Sequence, residues 1–394
     1  MNVLILFTYG ISLQEWKKIG IFEREIALYK ELIKKNVKIS FLTYGEKKDL
    51  IYNEMLNDFE IIPAKNLIQS QNFILKFLKS LILPFKLKLL FKKVDIIKSN
   101  QIEGCWVSFL AKIFFRKKII IRGGYEWLTT FAAVKSRNGF KNTIKFIIRY
   151  IYIYLIEFIG FRLADQIFLT NPYYIDFIIK AFRLKRYKSK LQLIPNFIDV
   201  NLFKPKNVDR KKNYILFVGR LTIEKNLYNL IIALKDLKDF TLDIVGNGPL
   251  KNDLIKFAEK LGVRINILGV FPNDKLPEIY NRYELFILPS YFEGNPKALL
   301  EAMSCGIPCI GTQVRGINEI IINGQNGYSC KTNPESIRNA ILYFYKNKDN
   351  MQKIGQNARD FIIHNFSLNI IVNKEYKSYK RLYYISRNKN RMKI

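Results

Sequence analysis

Several residue types are scarce in this chain, and each scarcity excludes a class of protein. Four cysteines among 394 residues are too few for a disulfide framework, and none has the Cys-x2-Cys spacing of a zinc site. The single histidine, His364, stands in a C-terminal helical pattern, where a surface position is expected. We therefore predict buried thiols, a reducing compartment and no bound metal.

Acidic residues and long apolar runs are scarce as well. Only 33 residues are acidic against 65 basic ones, and the net charge of +32 implies an anionic partner: a nucleotide-sugar, a membrane surface or nucleic acid. No run of about 20 apolar residues lacks a charge, so no spanning helix is predicted. The nearest run, 146–160, contains Arg149 and Glu157 and is interpreted as a buried helix. The N-terminus has no basic start and too short an apolar run for a signal peptide.

The order of secondary-structure signals predicts two α/β domains. Strand and helix signals alternate, as in a parallel sheet covered on both faces, and the alternation restarts after a segment rich in proline at 195–205. We place the domains at 1–205 and 206–370, followed by a terminal helix at 371–394. Two doubly wound domains in tandem form a cleft at the carboxyl ends of their strands, where ligands bind. The predicted strands are 3–7, 37–42, 94–97, 118–121, 166–169, 191–194, 214–218, 242–245, 265–268, 285–288 and 308–310.

The strongest functional signal is a strand, a loop and a helix around residue 295. Asn295 suits the N-cap of this helix, and Pro296 suits its first position, where the missing N–H costs nothing. The N–H groups of Lys297 and Ala298 then point at the loop, with the positive end of the helix dipole behind them. Such a helix start is an anion-binding site.

Charged residues cluster around this loop in the sequence. Glu293 precedes the helix and Glu301 lies inside it, with seven residues between them, so their carboxylates could accept hydrogen bonds from the hydroxyls of a phosphorylated polyol. The strand 214–218 ends at Arg220, and Lys225 follows. Cations there suit a diphosphate leaving group, on which negative charge builds in the transition state. The alternative is an ordinary strand, turn and helix with solvated charges.

The Glu-x7-Glu pair, with its Ala-Met-x-x-Gly-x-Pro continuation, resembles the donor-sugar signature of family 4 glycosyltransferases. These are retaining enzymes of the GT-B fold, which has two Rossmann-like domains. The segment from Gly219 to Asn226 resembles that family's phosphate clamp, and the turn at Gly246 resembles its Gly-x-Gly-Pro turn. The resemblance is specific over 214–330 and faint over 1–205. In such enzymes the last helix commonly crosses back onto the first domain, which is the role expected of 371–394.

The resemblance implies a donor site and a mechanism. Arg220 and Lys225 would bind the diphosphate, Glu293 the sugar and Glu301 the ribose, in a front-face displacement that needs no protein nucleophile. No Asp-x-Asp is present, so cations would replace a metal, and no cofactor is expected. The predicted catalytic residues are Glu293, Arg220, Lys225 and Glu126. The predicted donor-binding residues are Gly219, Arg220, Lys225, Gly246, Phe271, Glu293, Gly294, Asn295, Lys297, Ala298 and Glu301.

The first domain is expected to bind the acceptor. Gly20 begins a segment that resembles the family's Gly-Gly-x-Glu loop, with Ile21 at the second glycine; it is either a helix-start glycine or a ligand contact. Many relatives place a histidine near the reacting sugar. Here the corresponding strand end carries glycines, a phenol and a carboxylate, which could orient a hydroxyl or merely make the turn. The predicted acceptor-side residues are Gly20, Arg122, Gly123, Gly124, Tyr125 and Glu126.

Segment 73–93 is basic and amphipathic. It contains six lysines and no acidic residue, and such surfaces bind anionic lipid head groups with roughly 1 kcal/mol per well-placed cation. A second basic cluster at 180–190 could extend it. The alternative is a core-packed helix with a solvated lysine face.

These expectations combine into one function. We predict a cytoplasmic, retaining glycosyltransferase, peripheral at the inner face of the membrane, that transfers a sugar from a nucleotide-sugar to a lipid-linked or cell-surface glycan in bacterial polysaccharide or lipopolysaccharide biosynthesis. A nucleotide-sugar epimerase of the same fold would need acid–base groups such as histidines in the cleft. A basic nucleic-acid-binding protein is the alternative from another class. No recognition module supports it, so nucleic acid is not an expected partner.

Overall fold

The structure is a computed structural model, and it describes residues 1–123 and 143–391. It divides into two compact units: unit 1 is Met1–Ile194 with Val372–Ile394, and unit 2 is Pro195–Ile371. The predicted boundary at 205 lies inside unit 2, because Phe203 belongs to the hydrophobic core of that unit. The terminal helix belongs to unit 1 from Val372 onward.

Unit 1 contains a seven-stranded, fully parallel sheet. Its strands are β1 (Asn2–Leu6), β2 (Lys38–Thr43), β3 (Phe59–Pro63), β4 (Ile96–Ser99), β5 (Lys118–Gly123), β6 (Gln166–Leu169) and β7 (Leu191–Leu193). They lie in the order β3-β2-β1-β4-β5-β6-β7. The central strands are mainly apolar and mostly buried, as expected for a sheet covered on both sides, and the buried Lys98 of β4 is an exception.

The helices of unit 1 cover both faces of its sheet. They are α1 (Leu13–Lys18), α2 (Phe22–Ile33), α3 (Lys65–Ile68), α4 (Phe73–Leu81), α5 (Leu83–Lys86), α6 (Lys88–Lys93), α7 (Trp106–Phe115), α8 (Thr143–Leu163) and α9 (Pro172–Ala181), with 3-10 segments at Lys47–Asn53 and Lys185–Lys190. The chain crosses the sheet in one direction up to β3 and in the other direction afterwards. Right-handed crossovers therefore place α3 to α9 on one face and α1 and α2 on the other.

Unit 2 repeats the design with six parallel strands. They are β8 (Lys211–Val218), β9 (Thr241–Val245), β10 (Arg264–Gly269), β11 (Tyr283–Leu288), β12 (Cys309–Thr312) and β13 (Tyr328–Cys330), in the order β10-β9-β8-β11-β12-β13. Its helices are α10 (Leu227–Leu234), α11 (Lys251–Leu261), α12 (Leu276–Asn281), α13 (Lys297–Ser304), α14 (Pro334–Lys346) and α15 (Lys348–Phe366), and Ile223–Lys225 forms a 3-10 turn. The last helix, α16 (Leu368–Arg391), follows. Two parallel-sheet α/β domains confirm the predicted fold class.

Local sequence signals set several helix ends. The Ser12 hydroxyl accepts the Glu15 N–H and caps α1, while the Asn171 side chain accepts the Tyr173 N–H and caps α9. Gly262 ends α11 in the left-handed conformation at φ 65°, which costs glycine little.

The scarce residues occupy the positions that the sequence predicted for them. All four cysteines are free and buried, and burial raises the pKa of the Cys305 thiol to about 12. His364 is exposed on α15, with its Nδ1 atom 2.7 Å from the Asp360 carbonyl oxygen. Within the described residues, no helix has the length and apolar character needed to cross a membrane.

The interpretation of 146–160 as a buried helix is wrong. Helix α8 packs one face against α7 and β5, and there Ile153 and Phe161 are buried. Its opposite face is not covered within the described residues, and Ile148 is 62% exposed.

Candidate functional site

The strand order of unit 2 reverses at the neighbouring strands β8 and β11. Ligands of doubly wound sheets bind outside the carboxyl ends of strands at such a switch point. The loop after β8 carries Arg220 and Lys225, and the loop after β11 carries Ser290 and Glu293. The topology therefore brings together two motifs that are distant in the sequence.

Lys225 and Glu293 form an ion pair at this point. The Lys225 Nζ atom lies 2.6 Å from Glu293 Oε1, and the side chains are only 14% and 10% exposed. The Ser290 hydroxyl donates to the same oxygen at 2.6 Å. Within the described residues Oε2 of Glu293 has no hydrogen-bond partner, and Lys225 uses one of its three N–H donors. The pair thus retains an acceptor and donors for a ligand.

Backbone and amide contacts hold the two loops together. Asn226 adopts the left-handed conformation at φ 57°, and its Nδ2 donates to the carbonyl oxygens of Pro289 and Thr332 at 2.9 Å each. The Tyr291 N–H donates to the Glu224 carbonyl oxygen at 2.8 Å. Because these bonds join the residues next to Lys225 and Glu293, they fix the ion pair.

Arg220 does not join Lys225 in this structure. Its side chain is 67% exposed, and its guanidinium lies 3.6 Å from the Glu224 carboxylate. The two predicted clamp cations therefore differ. Lys225 is held in place by Glu293, whereas Arg220 lies at the surface beside a weak ionic partner.

Gly219 and Gly246 pack against each other. A Cβ atom on Gly246, which has φ 150°, would lie 1.8 Å from the Gly219 carbonyl oxygen. Gly219 donates to the Val245 carbonyl oxygen at 2.9 Å, and Gly246 donates to that of Gly269 at 2.7 Å. The backbones of these two predicted donor-binding glycines therefore contact each other, and their contact with a donor stays a prediction. Phe271, beyond Gly269, packs its side chain on the core of unit 2.

The predicted N-cap role of Asn295 is wrong. The cap of α13 is Pro296, and no side-chain hydrogen bond caps this helix. Asn295 instead bonds Asn196, whose N–H donates to Asn295 Oδ1 at 2.8 Å and whose Nδ2 donates to the Asn295 carbonyl oxygen at 2.7 Å. The first N–H groups of a helix have no intrahelical acceptors, whichever residue caps it. The anion-binding end predicted at Lys297 and Ala298 therefore does not depend on an asparagine cap and stays a prediction.

Glu301 is buried on α13, with 3% of its surface exposed. The Tyr280 hydroxyl donates to Glu301 Oε2 at 2.9 Å. Burial, together with the Glu301 charge, raises the pKa of Tyr280 well above its usual range, so the phenol stays a donor. Tyr280 was not predicted, since it is far from the Glu-x7-Glu signature in the sequence.

Gly316 is a second supporting residue that the sequence did not reveal. It has φ 85°, and a Cβ atom there would lie 2.4 Å from the Glu293 carbonyl oxygen. The preceding carbonyl, of Arg315, accepts the Glu293 N–H at 3.1 Å. The sequence signal that could have identified Gly316 is a glycine shortly after the predicted strand 308–310.

Gly20 serves the end of a helix in unit 1. It has φ 71° and donates to the Lys17 carbonyl oxygen, while Ile21 donates to that of Trp16. This pair of bonds is the Schellman motif, in which glycine ends a helix. Gly20 therefore ends α1 and does not start α2, so the helix-start alternative is wrong, while the ligand contact stays a prediction.

Arg122 belongs to a buried charge cluster. It donates to Glu375 Oε1 of α16 at 3.1 Å. Oε2 of Glu375 accepts from Lys98 at 2.6 Å and from the Tyr379 hydroxyl at 2.8 Å. Burial lowers the pKa of Lys98. The Arg122 side chain thus joins β5 to α16 through an ion pair. Gly123 is the last residue of β5 and pairs with Leu169 of β6. The predicted residues Gly124, Tyr125 and Glu126 lie outside the described residues.

Three residues at the carboxyl edge of unit 1 were missed by the sequence. Tyr9, Tyr44 and Glu103 follow β1, β2 and β4. The rings of Tyr9 and Tyr44 are 5.0 Å apart, and their buried hydroxyls have no hydrogen-bond partner among the described residues. The Tyr9 N–H donates to the Glu103 carbonyl oxygen at 3.3 Å, and burial raises the pKa of the Glu103 carboxyl. The available signal was that each residue follows a predicted strand.

No metal centre is evident in the part of the chain that the structure describes. There, no group of three or more histidine, cysteine, aspartate or glutamate side chains is arranged to hold a metal ion. Metal independence stays a prediction.

Known proteins resemble this chain in sequence and in fold. Residues 200–361 match the model of the family Glycosyl transferases group 1. An uncharacterised glycosyltransferase of Methanocaldococcus jannaschii is 28% identical over 394 residues, covering 96% of this chain and 92% of that protein. The UDP-Gal:alpha-D-GlcNAc-diphosphoundecaprenol alpha-1,3-galactosyltransferase of Escherichia coli is 31% identical over 198 residues, covering 45% of this chain and 51% of that protein. The structure of a sucrose-phosphate synthase from Thermosynechococcus elongatus matches with a TM-score of 0.76 at 18% identity, covering 98% of this chain and 100% of that chain.

Proposed function

We propose that this glycosyltransferase, whose residues 200–361 match the family Glycosyl transferases group 1 and whose fold is GT-B, is a retaining enzyme that moves a sugar from a nucleotide-sugar to a glycan acceptor. The observation that carries this proposal is the Lys225–Glu293–Ser290 group at the switch point of unit 2. Two relatives of this chain are named as transferases, which favours sugar transfer over the epimerase and nucleic-acid alternatives.

The group supplies the interactions that sugar transfer needs. Oε2 of Glu293 accepts a hydrogen bond from a hydroxyl of the donor sugar, and Lys225 donates to a diphosphate oxygen. Negative charge grows on the diphosphate as its bond to the anomeric carbon breaks, so a fixed cation and a helix N-terminus stabilise the transition state. Arg220 swings from Glu224 to add a second cation. Glu301, oriented by Tyr280, accepts from the ribose.

Retention follows from a front-face displacement. The acceptor oxygen forms a bond to the anomeric carbon on the side from which the diphosphate departs, and the acceptor proton passes to the departing phosphate oxygen. The chain then has to supply positioning and charge stabilisation without a nucleophile. No cofactor or metal takes part in this scheme.

Tyr9, Tyr44 and Glu103 are proposed to hold the acceptor. The two phenols can donate to glycan oxygens, and Glu103 can accept from the reacting hydroxyl. A buried hydroxyl without a partner is costly, and a ligand that bonds it recovers the cost. The Escherichia coli relative is named for a diphosphoundecaprenol-linked acceptor, so we propose a lipid-linked acceptor in bacterial polysaccharide or lipopolysaccharide biosynthesis.

An enzyme that acts on a lipid-linked acceptor must reach it at the membrane surface. We propose that the enzyme binds peripherally to the cytoplasmic leaflet through segment 73–93. Its lysines at 88, 92 and 93 are exposed, and anionic head groups attract such cations.

The experiment that tests this function is a donor screen followed by product analysis. UDP-sugars and GDP-sugars are added to the full chain, and the melting temperature is measured with each, because a ligand that binds only the folded state stabilises it. The stabilising donor is then supplied with lipid-linked and free glycan acceptors, and the anomeric configuration of the product is read by NMR. We expect one donor to stabilise the chain and the donor's configuration to persist in the product. Stabilisation by no donor, or an inverted product, would contradict the proposal.

A further inference from the structure

Helix α8 presents a stripe of apolar side chains to solvent. Ile148, Ile151, Leu155 and Ile159 are 62%, 50%, 49% and 44% exposed. They are three or four residues apart, so they share one helix face, which extends over roughly 16 Å at 1.5 Å per residue. This face points away from the sheet, since α8 packs on β5 with its other side.

The stripe continues across the neighbouring helices of the same layer. Helix α7 contacts α8 on one side and α4, α5 and α6 on the other. Its last turn contains Ile113 and Phe114, which are 59% and 58% exposed. Phe85 of α5 packs edge-on against Phe114, with ring centroids 4.8 Å apart, and Leu89 of α6 is 84% exposed. We call the combined surface the apolar face; its members are Leu75, Leu78, Ile82, Phe85, Leu89, Ile113, Phe114, Ile148, Ile151, Leu155 and Ile159.

The exposed charges on the helices that form the apolar face, α4 to α8, have one sign. Segment 73–93 has no acidic residue, and Lys88, Lys92 and Lys93 are exposed on α6. The one acidic residue of α8, Glu157, is buried on the inward side. Lys79 and Lys86 are already engaged, since they donate to the carbonyl oxygens of Gln69 and Leu67.

These features distinguish a lipid surface from a protein partner. Protein interfaces are depleted in lysine, whereas a lysine beside apolar groups can extend its charged head to a lipid phosphate while its stem covers apolar surface. Contiguous exposed apolar surface of this extent marks an interaction site. Apolar side chains on helices whose exposed charges are all cationic match the boundary between acyl chains and anionic head groups.

We propose that the apolar face inserts into the surface of an anionic lipid bilayer, with the α8 stripe and the end of α7 entering the acyl boundary and Lys88, Lys92 and Lys93 binding lipid phosphates. The proposal rests on the peripheral attachment proposed above. It deepens that attachment by assigning the salt-resistant part of binding to α8, which lies outside the basic segment.

Salt concentration separates the apolar part of vesicle binding from the electrostatic part. The full chain is sedimented with vesicles of phosphatidylcholine and phosphatidylglycerol at low salt and at about 1 M salt, where the Debye length is ~3 Å. We expect binding to persist at high salt and to weaken in vesicles of phosphatidylcholine alone. Replacing Ile148, Ile151, Leu155 and Ile159 with Ser should lower the vesicle partition coefficient on the order of 100-fold at both salts. Replacing Lys88, Lys92 and Lys93 with Gln should lower it on the order of 100-fold at low salt only.

A matched control removes equally exposed apolar groups elsewhere in unit 1. Ile51 and Met55 are 71% and 57% exposed, and they follow β2, outside the apolar face. Ile51→Ser with Met55→Ser should leave vesicle binding unchanged. Equal loss in this control and in the α8 variant, or α8 variant binding equal to that of the parent, would overturn the proposal.

A single-site measurement avoids dependence on the folding of the quadruple variant. All four native cysteines are buried, so Leu155→Cys provides a thiol for selective labelling with an environment-sensitive fluorophore. Vesicles should shift its emission to the blue, and Ile51→Cys should show no shift. No shift at 155 would overturn the proposal. Nucleotide-sugar stabilisation is measured on every variant, so loss of vesicle binding with donor stabilisation intact disproves the membrane surface and leaves the transferase function standing.

Discussion

The carboxyl edges of the two sheets differ in how their polar groups are satisfied. In unit 2 the side chains of Lys225, Glu293 and Ser290 bond one another. In unit 1 the hydroxyls of Tyr9 and Tyr44 are buried without a partner among the described residues. An edge whose groups already hold one another is organised before its ligand arrives, whereas an edge with unpaired hydroxyls is completed by its ligand. On the proposed assignment, the donor side is therefore preformed, and the acceptor side is completed by its ligand.

Unit 1 instead gains rigidity from its buried charges, and the first prediction removes one of them. Glu375→Gln leaves Lys98, which is completely buried, without its negative partner. Losing one member of a buried ion pair costs about 3–5 kcal/mol of unfolding free energy. Denaturant unfolding measures this loss, and Glu46→Gln, which breaks an exposed pair with Lys65, should change little. A Glu375→Gln chain as stable as the parent would show that unit 1 does not depend on this cluster.

The second prediction compares the two cations of unit 2. Lys225→Ala or Arg220→Ala should each lower kcat/KM by roughly 100-fold or more, because each removes charge stabilisation that grows in the transition state. Only Lys225→Ala should also lower the melting temperature, since it leaves Glu293 without its cation, while Arg220 is exposed. Lys260→Ala on α11 is the matched control. Near-normal turnover in both variants would end the assignment of these cations to the diphosphate.

The third prediction concerns pH and the acceptor edge. The ionised Glu103 carboxylate is the form that accepts from the acceptor hydroxyl, so kcat/KM for the acceptor should fall as the pH drops through its pKa. Burial raises the pKa of Glu103, so the inflection should lie above the ordinary value of about 4.3. Glu103→Gln should abolish the inflection and lower kcat/KM by about 10-fold, with the donor KM unchanged. An inflection that survives in the variant assigns the titration to another group.

The smallest expected effect is that of a chelator. Two cations and a helix N-terminus occupy the role of a metal in the proposed donor site, so EDTA should leave most of the transfer activity. Activity is assayed before and after chelation. Complete loss that Mn²⁺ or Mg²⁺ restores would place a metal in the site.

The fold and the family resemblance could be predicted from the sequence because each depends on residues that are close together in the chain. Nearly every strand is a short apolar run between turn residues, and the Glu-x7-Glu signature spans one loop and one helix. The predicted family resemblance and the transferase activity are confirmed. Two strands were not predicted: β3, with exposed Glu60 at a sheet edge, and β13, with only three residues.

The rest depends on contacts that sequence order conceals. Asn295 satisfies every local rule for an N-cap, yet Asn196 competes for it from 99 residues away. Arg122 follows the predicted strand 118–121 and was therefore predicted to bind a ligand, yet it lies inside β5 and its guanidinium binds Glu375, 253 residues distant. Tyr9, Tyr44 and Glu103 come from three loops that only the parallel sheet brings together. Helix α8 is apolar on all sides, so its periodicity does not reveal which face is left uncovered.

We propose that Glu293 and Lys225 form a preformed donor site in which Glu293 contacts the sugar. This site is tested most directly by isothermal titration of the full chain and of Glu293→Gln with a nucleoside diphosphate and with the matching nucleotide-sugar. We expect the parent to bind the nucleotide-sugar more tightly than the nucleoside diphosphate, and Glu293→Gln to bind the two with nearly equal affinity. An unchanged preference for the nucleotide-sugar in Glu293→Gln would show that Glu293 does not contact the sugar.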